Sequence, residues 1–210
     1  MTTLNQICFD LWNHIRGNIS DDDTMDIRML KYFVHNQRSI WIRNNLNKNR
    51  DIDDNIVQDL GAVPIEIVDR QLDNIYIQDK KILRTVSKIP VAIELNSSTA
   101  LTRIGSLDIR ERPFQFIDYS RLPYIGKGKF NSKEIFTFLL NGYIYIVTDC
   151  NNPLGKVIKY INIRGVFENP EEVASFTNEL GVSCYSDDSP YPINKWMIPF
   201  MKAEILKLDL

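Results

Sequence analysis

Gly105, Pro113, Pro123 and Gly126 interrupt the chain so often that no long regular element fits its centre, between Thr102 and Gly126. The flanks of that stretch are rich in β-branched and aromatic residues. Val63–Val68, Asn74–Ile77, Lys81–Val86 and Pro90–Leu95 read as strands before it. Tyr143–Val147 and the alternating Val157–Arg164 read as strands after it. Asn141-Gly142 is a turn signal; it closes a short helix expected over Ser132–Leu140 and leads into the strand at Tyr143. Pro170–Ala174 reads as another short helix with proline in its first turn.

The two ends of the chain follow a different period. Leu4, Ile7, Cys8, Leu11, Trp12 and Ile15 repeat at the spacing of one helix face, and Thr3 with Gln6 has the spacing of a capping box. Gly17 is a plausible stop. Ser20-Asp21-Asp22-Asp23 supplies a cap and three acids for a second helix, whose stripe of Ile27, Leu30, Phe33, Val34, Gln37 and Trp41 runs to about Leu46. Ile193, Trp196, Met197, Phe200, Ile205 and Leu208 predict a C-terminal helix, with Pro199 as a kink. The reading is therefore α+β: N- and C-terminal helices packed as a bundle around a strand-rich middle, a sheet or small barrel. Residues 1–50 and 190–210 form the helical part and residues 51–189 the β-rich part, in one compact unit.

The totals narrow the function. With 210 residues, 44% hydrophobic and 25% charged, the chain can bury a core of its own. A net charge of −2 argues against a protein that coats nucleic acid. No apolar run is long enough to span a membrane, and the start lacks the basic-then-apolar order of a secretory signal. Cys8, Cys150 and Cys184 are far apart and fit a reducing cytoplasm better than a disulfide framework or a metal site.

Chemistry is hard to find. His14 and His35 belong to no metal or catalytic pattern and read as surface or edge residues. Helix capping explains Asp21–Asp23, and Asp51, Asp53 and Asp54 read as a solvated turn. Gly126-Lys127-Gly128-Lys129 lacks the spacing of a phosphate loop, leaving an exposed glycine turn whose lysines could touch a partner or DNA. Arg38, Arg43, Lys48 and Arg50 beside Trp41 give the second helix a basic end, which its dipole favours. No catalytic residue, cofactor or metal is expected. What remains is a surplus of aromatic and arginine residues in irregular segments, the composition of contact surfaces. The candidates are Arg112, Phe114, Tyr119, Arg121, Tyr124, Lys127 and Lys129 in the central loop, and Tyr191, Trp196 and Phe200 near the C-terminus.

Several words of the sequence also occur in one family, in the same order. They include Ile7–Asn13, Ile19–Asp23, Arg43–Lys48, Asp54–Leu60, Lys88-Ile89-Pro90, Thr102–Gly105, Arg112-Pro113-Phe114, Tyr119–Tyr124, Gly128–Asn131 and Pro190–Ile193. In this the chain resembles virion proteins of crAss-like bacteriophages of gut bacteria. The resemblance implies a head–tail connector subunit, remotely like the tail adaptors of short-tailed phages. Such a protein forms a dodecameric ring, meets the portal and adjacent tail or ring proteins, and surrounds the channel through which genomic DNA leaves without sequence-specific binding. It implies assembly in the host bacterial cytoplasm, residence in the neck or tail of the virion, and no membrane contact. Two other readings stay open on the residues alone: a DNA-binding accessory protein using the helical hairpin, and a hydrolase or nuclease using the Asp clusters and a divalent cation.

Overall fold

The computed structural model describes residues 2–16, 26–48, 51–68, 75, 80–96, 98–125, 134–149 and 158–207. Helix α1 spans Leu4–Arg16, α2 spans Ile27–Leu46 and α3 spans Met197–Leu206. Between them, among the described residues, lie eight strands: β1 Gln58–Asp59, β2 Val63–Ile67, β3 Lys80–Thr85, β4 Leu101–Gly105, β5 Gln115–Phe116, β6 Phe136–Leu140, β7 Tyr143–Asp149 and β8 Tyr160–Gly165. The architecture is α+β.

The capping box at the start of α1 forms in both directions. The Gln6 amide donates to Thr3 Oγ1 and the Thr3 amide to Gln6 Oε1, each at 3.2 Å, so two otherwise orphaned donors are satisfied. The face anticipated for α1 is buried at Leu4, Ile7, Cys8, Leu11 and Ile15. Helix α2 is capped by Asp26, whose carboxylate accepts from the Arg28 amide. Helix α3 begins at Met197, so Pro199 falls in its first turn, where a missing N–H costs no helical bond. The three helices touch one another and share an apolar cluster that includes Leu11, Leu30, Ile42, Met201 and Ile205.

The strands form one curled, mixed half-barrel in the order β1-β8-β2-β3-β7-β6-β5, with β4 on the other side of β8. All pairings are antiparallel except β5 with β6. The Phe114 amide donates to Ile104 O at 2.7 Å, tying the segment that leads into β5 back to β4. Phe138, Ile144, Ile146, Ile161, Ile163 and Phe167 are fully buried along the sheet.

Two local readings are corrected. The helix expected over Ser132–Leu140 is strand β6, and Leu140 pairs with Tyr143 across Asn141-Gly142. Asn141 and Gly142 have φ of 52° and 83°, the left-handed pair of a two-residue hairpin turn. Phe136, Thr137 and Phe138 are buried in succession, so β6 carries no alternation to betray it. The strand expected at Pro90–Leu95 is irregular, with isolated bridges from Ala92 to Phe167 and from Glu94 to Thr99. Tyr76–Ile77, the acid run Ser20–Asp23 and the turn Gly126–Lys129 lie outside the described residues.

Candidate assembly interface

Helix α2 has an inner face that is partly charged. Arg38 is completely buried; its Nε donates to Pro192 O and its Nη1 to Phe167 O, both at 2.7 Å. Its guanidinium stands 5.7 Å from the centre of the Tyr191 ring. Nη2 finds no hydrogen-bond partner among the described residues. Burial strips water from the guanidinium and lowers the Arg38 pKa from its ordinary value, against a smaller opposing pull from Tyr191 and Tyr185. One turn earlier, His35 is buried with Nδ1 2.8 Å from the Tyr191 hydroxyl and Nε2 3.4 Å from Glu171. That setting suits a neutral ring protonated on Nε2 and accepting from Tyr191 on Nδ1. Burial holds the His35 pKa below its usual value, against the pull of Glu171. Lys31 pairs with Asp187 and lies 3.5 Å from Glu171.

His35 is therefore no surface residue and Arg38 no part of an exposed basic end. Arg43 and Lys48 are exposed, and Arg50 lies outside the described residues. Three residues of α2 clamp the two C-terminal stretches around Phe167–Glu171 and Asp187–Pro192. The arrangement binds backbone carbonyls and carboxylates of the chain itself. The Cys8 thiol nearby is pushed up to about 11 by burial, which leaves it a poor nucleophile at neutral pH.

The outer surface carries the contact candidates. Around the central loop, Arg112 and Arg121 are exposed, Phe114 is half-buried against the sheet cluster, and Tyr124 is 79% exposed. These residues flank or form a 3-10 turn, Tyr119–Tyr124, with no buried side chain. Tyr119 is half exposed, its ring edge-on to Phe138 at 5.7 Å. At the other end, Trp196 and Phe200 are both about half exposed and lie 6.4 Å apart, with Trp41 of α2 5.8 Å from Phe200. Tyr191 does not belong with them. It is 4% exposed, held by His35 and Arg38, and works inside the subunit. Lys127 and Lys129 lie outside the described residues.

Sequence reasoning missed a further set. Met29, Tyr32 and Ile40 of α2 are 48%, 65% and 44% exposed on the side opposite its core face. Their spacing was visible, but a single stripe was assigned to this helix. Among the described residues, no group of three or more His, Cys, Asp or Glu could hold a metal ion, and no helix is long and apolar enough to cross a membrane. Asp53 caps the 3-10 turn Asp54–Ile56 by accepting from the Asn55 amide at 2.9 Å.

The polar clamp binds the chain to itself and leaves Tyr124, Trp196 and Phe200 exposed outside it. A family model described as phage tail ring protein 2 matches residues 6–210, nearly the whole chain, and the chain belongs to that family. It is a ring protein of the crAss-like phage tail and a component of the virion. A search of curated proteins returns no match.

Proposed function

We propose that this ring protein is a non-enzymatic head–tail connector subunit, stacked between portal and tail as one of twelve copies around the DNA exit channel. The observation that carries the reading is the family match together with exposed aromatic residues on two separate parts of the fold: Tyr119 and Tyr124 on the central loop, Trp196 and Phe200 on the C-terminal helix. Apolar side chains held in water offset nothing in the subunit's own folding, and they fit surfaces that become covered on assembly. The central loop, with Arg112, Phe114, Arg121, Lys127 and Lys129, is assigned to neighbour and portal contacts. The helical part, residues 1–50 and 190–210, is read as a bundle fastened to the β-rich part, residues 51–189, as one unit assembled in the host cytoplasm.

A ring in which each copy offers different patches to left and right closes by heterologous contact. A stable contact of that kind buries on the order of 1,000 Å² or more. The slightly acidic net charge of −2 suits a channel that must let DNA pass without holding it. Mass photometry of the purified chain, alone and with the matching portal ring, tests the reading. A ring-sized species, or a portal that gains a full complement of this chain, is the expected result. A monomer that leaves the portal mass unchanged overturns the portal contact. Truncating residues 191–210 is a poor test because Ile193, Met197, Met201 and Ile205 are core residues. Trp196→Ala with Phe200→Ser, and separately Tyr124→Ser, remove exposed rings while leaving that core intact.

A further inference from the structure

Met29, Tyr32, Asn36, Ile40 and Arg43 follow one another on α2 at three- and four-residue steps, which places them on one side of the helix, opposite Leu30, Val34, Arg38 and Ile42. A helix packed on one face normally turns polar residues outward. Here the outward stripe has three large apolar side chains, exposed by 44% or more, over about 16 Å of helix. Its charge is one-sided too. Within Ile27–Leu46 there are four Arg or Lys residues and no acid, and Arg28 and Arg43 are exposed.

A groove of about 560 Å³ elsewhere on the chain has the opposite character. Leu107, Ile109, Asn178, Glu179 and Leu180 line it, with Asp59 at its side. Ile109 is 71% exposed and Leu180 86%. Both apolar tips are held in place by polar braces. The Arg103 guanidinium donates to Ser106 O at 3.3 Å, Asp108 O at 3.2 Å and Glu111 O at 3.4 Å, fixing the loop that presents Ile109. The Asn178 carboxamide oxygen accepts from the Leu180 and Val182 amides at 2.9 and 3.0 Å, fixing the tip that presents Leu180. Loops braced in this way lose little entropy when a partner covers them.

We infer that the outward stripe of α2 seats in the Ile109–Leu180 groove of the next copy of this chain, and that this is the heterologous contact closing the ring. Apolar side chains meet apolar walls, and Arg28 and Arg43 meet the side carrying the exposed Glu179, Asp59 being paired with Arg164 of its own chain. The occupant is a second copy because the two surfaces differ from each other and complement each other in charge, as a closing ring requires. The inference rests on the ring reading above and names the surfaces that make the ring.

Disulfide trapping on the full chain tests it. Ile40→Cys and Leu180→Cys are combined in one chain with Cys8→Ala, Cys150→Ser and Cys184→Ser, so that the two new thiols are the only ones present and the groove-lining Cys184 cannot compete. After assembly, alone or on the portal ring, and mild oxidation, a non-reducing denaturing gel should show a ladder of covalent multimers. Neither single-cysteine variant should give one. Rings of normal mass that yield only monomer bands overturn the inference and leave the ring reading standing. Dimers from Ile40→Cys alone also overturn it, because two α2 stripes would then face each other. Arg43→Glu should raise the concentration needed for half-assembly by about tenfold, and adding Glu179→Arg should restore it. If Arg43→Glu abolishes DNA binding and leaves assembly untouched, the stripe serves DNA and the inference fails. If no ring forms under any condition, the ring reading fails first.

Discussion

The inside of the helical layer and the inside of the half-barrel are held together differently. In the sheet, Phe138, Ile144, Ile146, Ile161 and Ile163 are packed apolar side chains, and the buried polar residues there are uncharged: Thr85, Thr137, Thr148 and Asn162. Phe138 lies flat on Tyr145, ring centres 5.1 Å apart and planes 7° apart. Where α2 meets the C-terminal stretches, the core instead contains a buried guanidinium and a buried imidazole. Apolar packing is strong but tolerant of direction, whereas Arg38 must reach two particular carbonyls to be buried at all. The contrast assigns stability to the sheet and orientation of the helices to the clamp.

Variants that separate the two can break that contrast. Phe138→Ala should have the largest effect, a loss of about 3–5 kcal/mol in urea unfolding, from lost transfer energy and a residual cavity. Arg38→Ala should cost about 3 kcal/mol, because Pro192 O and Phe167 O lose their donor and a void opens. Arg38→Met fills most of that void without burying a charge and should cost less than half as much. If alanine and methionine prove equal, the hydrogen bonds rather than the volume decide this site. Tyr191→Phe removes the hydroxyl beside His35 and should cost about 1 kcal/mol in the same assay.

A pH series sharpens the contrast further. The His35 pKa is lowered in the folded chain, mainly by burial, from an ordinary value of 6.5. Below that pH the unfolded chain binds a proton that the folded chain refuses, so the contribution of His35 is present above pH 6.5 and lost as the pH falls. Urea midpoints at pH 7.5 and 5.5 should therefore fall more for the wild-type chain than for His35→Gln. Equal losses would place the imidazole in water. The smallest effect belongs to the exposed partner of a surface pair: Asp10→Asn, which removes the 2.6 Å bridge to Lys202, should change stability by about 1 kcal/mol or less.

Much of this was legible in the sequence where local physics decides. Thr3 and Gln6 announced the start of α1, Asn141-Gly142 a turn, and Lys81–Val86 a strand. Legibility failed where tertiary packing overrides local pattern. Phe136, Thr137 and Phe138 are buried on both faces of β6, so the strand has no exposed side for a polar residue to mark, and the Asn-Gly turn next to it suits the end of a helix as well as a hairpin. Arg38 and His35 were read as exposed because such residues seldom sit fully inside. Only the fold brings Phe167 O, Pro192 O and Glu171 to meet them. Of the contact candidates, Tyr124, Trp196 and Phe200 are exposed, whereas Tyr191 is taken up by the clamp.

The hydrogen bond from Phe114 to Ile104 has one further consequence. By tying the segment that leads into β5 to β4, it occupies the Ile104 carbonyl of β4, a group that would otherwise be available as a template for another chain. A protein made in many copies before it joins a particle runs the risk of sticking to itself by strand exchange, which is slow to reverse. On the ring contact proposed above, copies would then meet through side-chain patches that can part again, so that a wrongly placed subunit has time to leave before the ring closes.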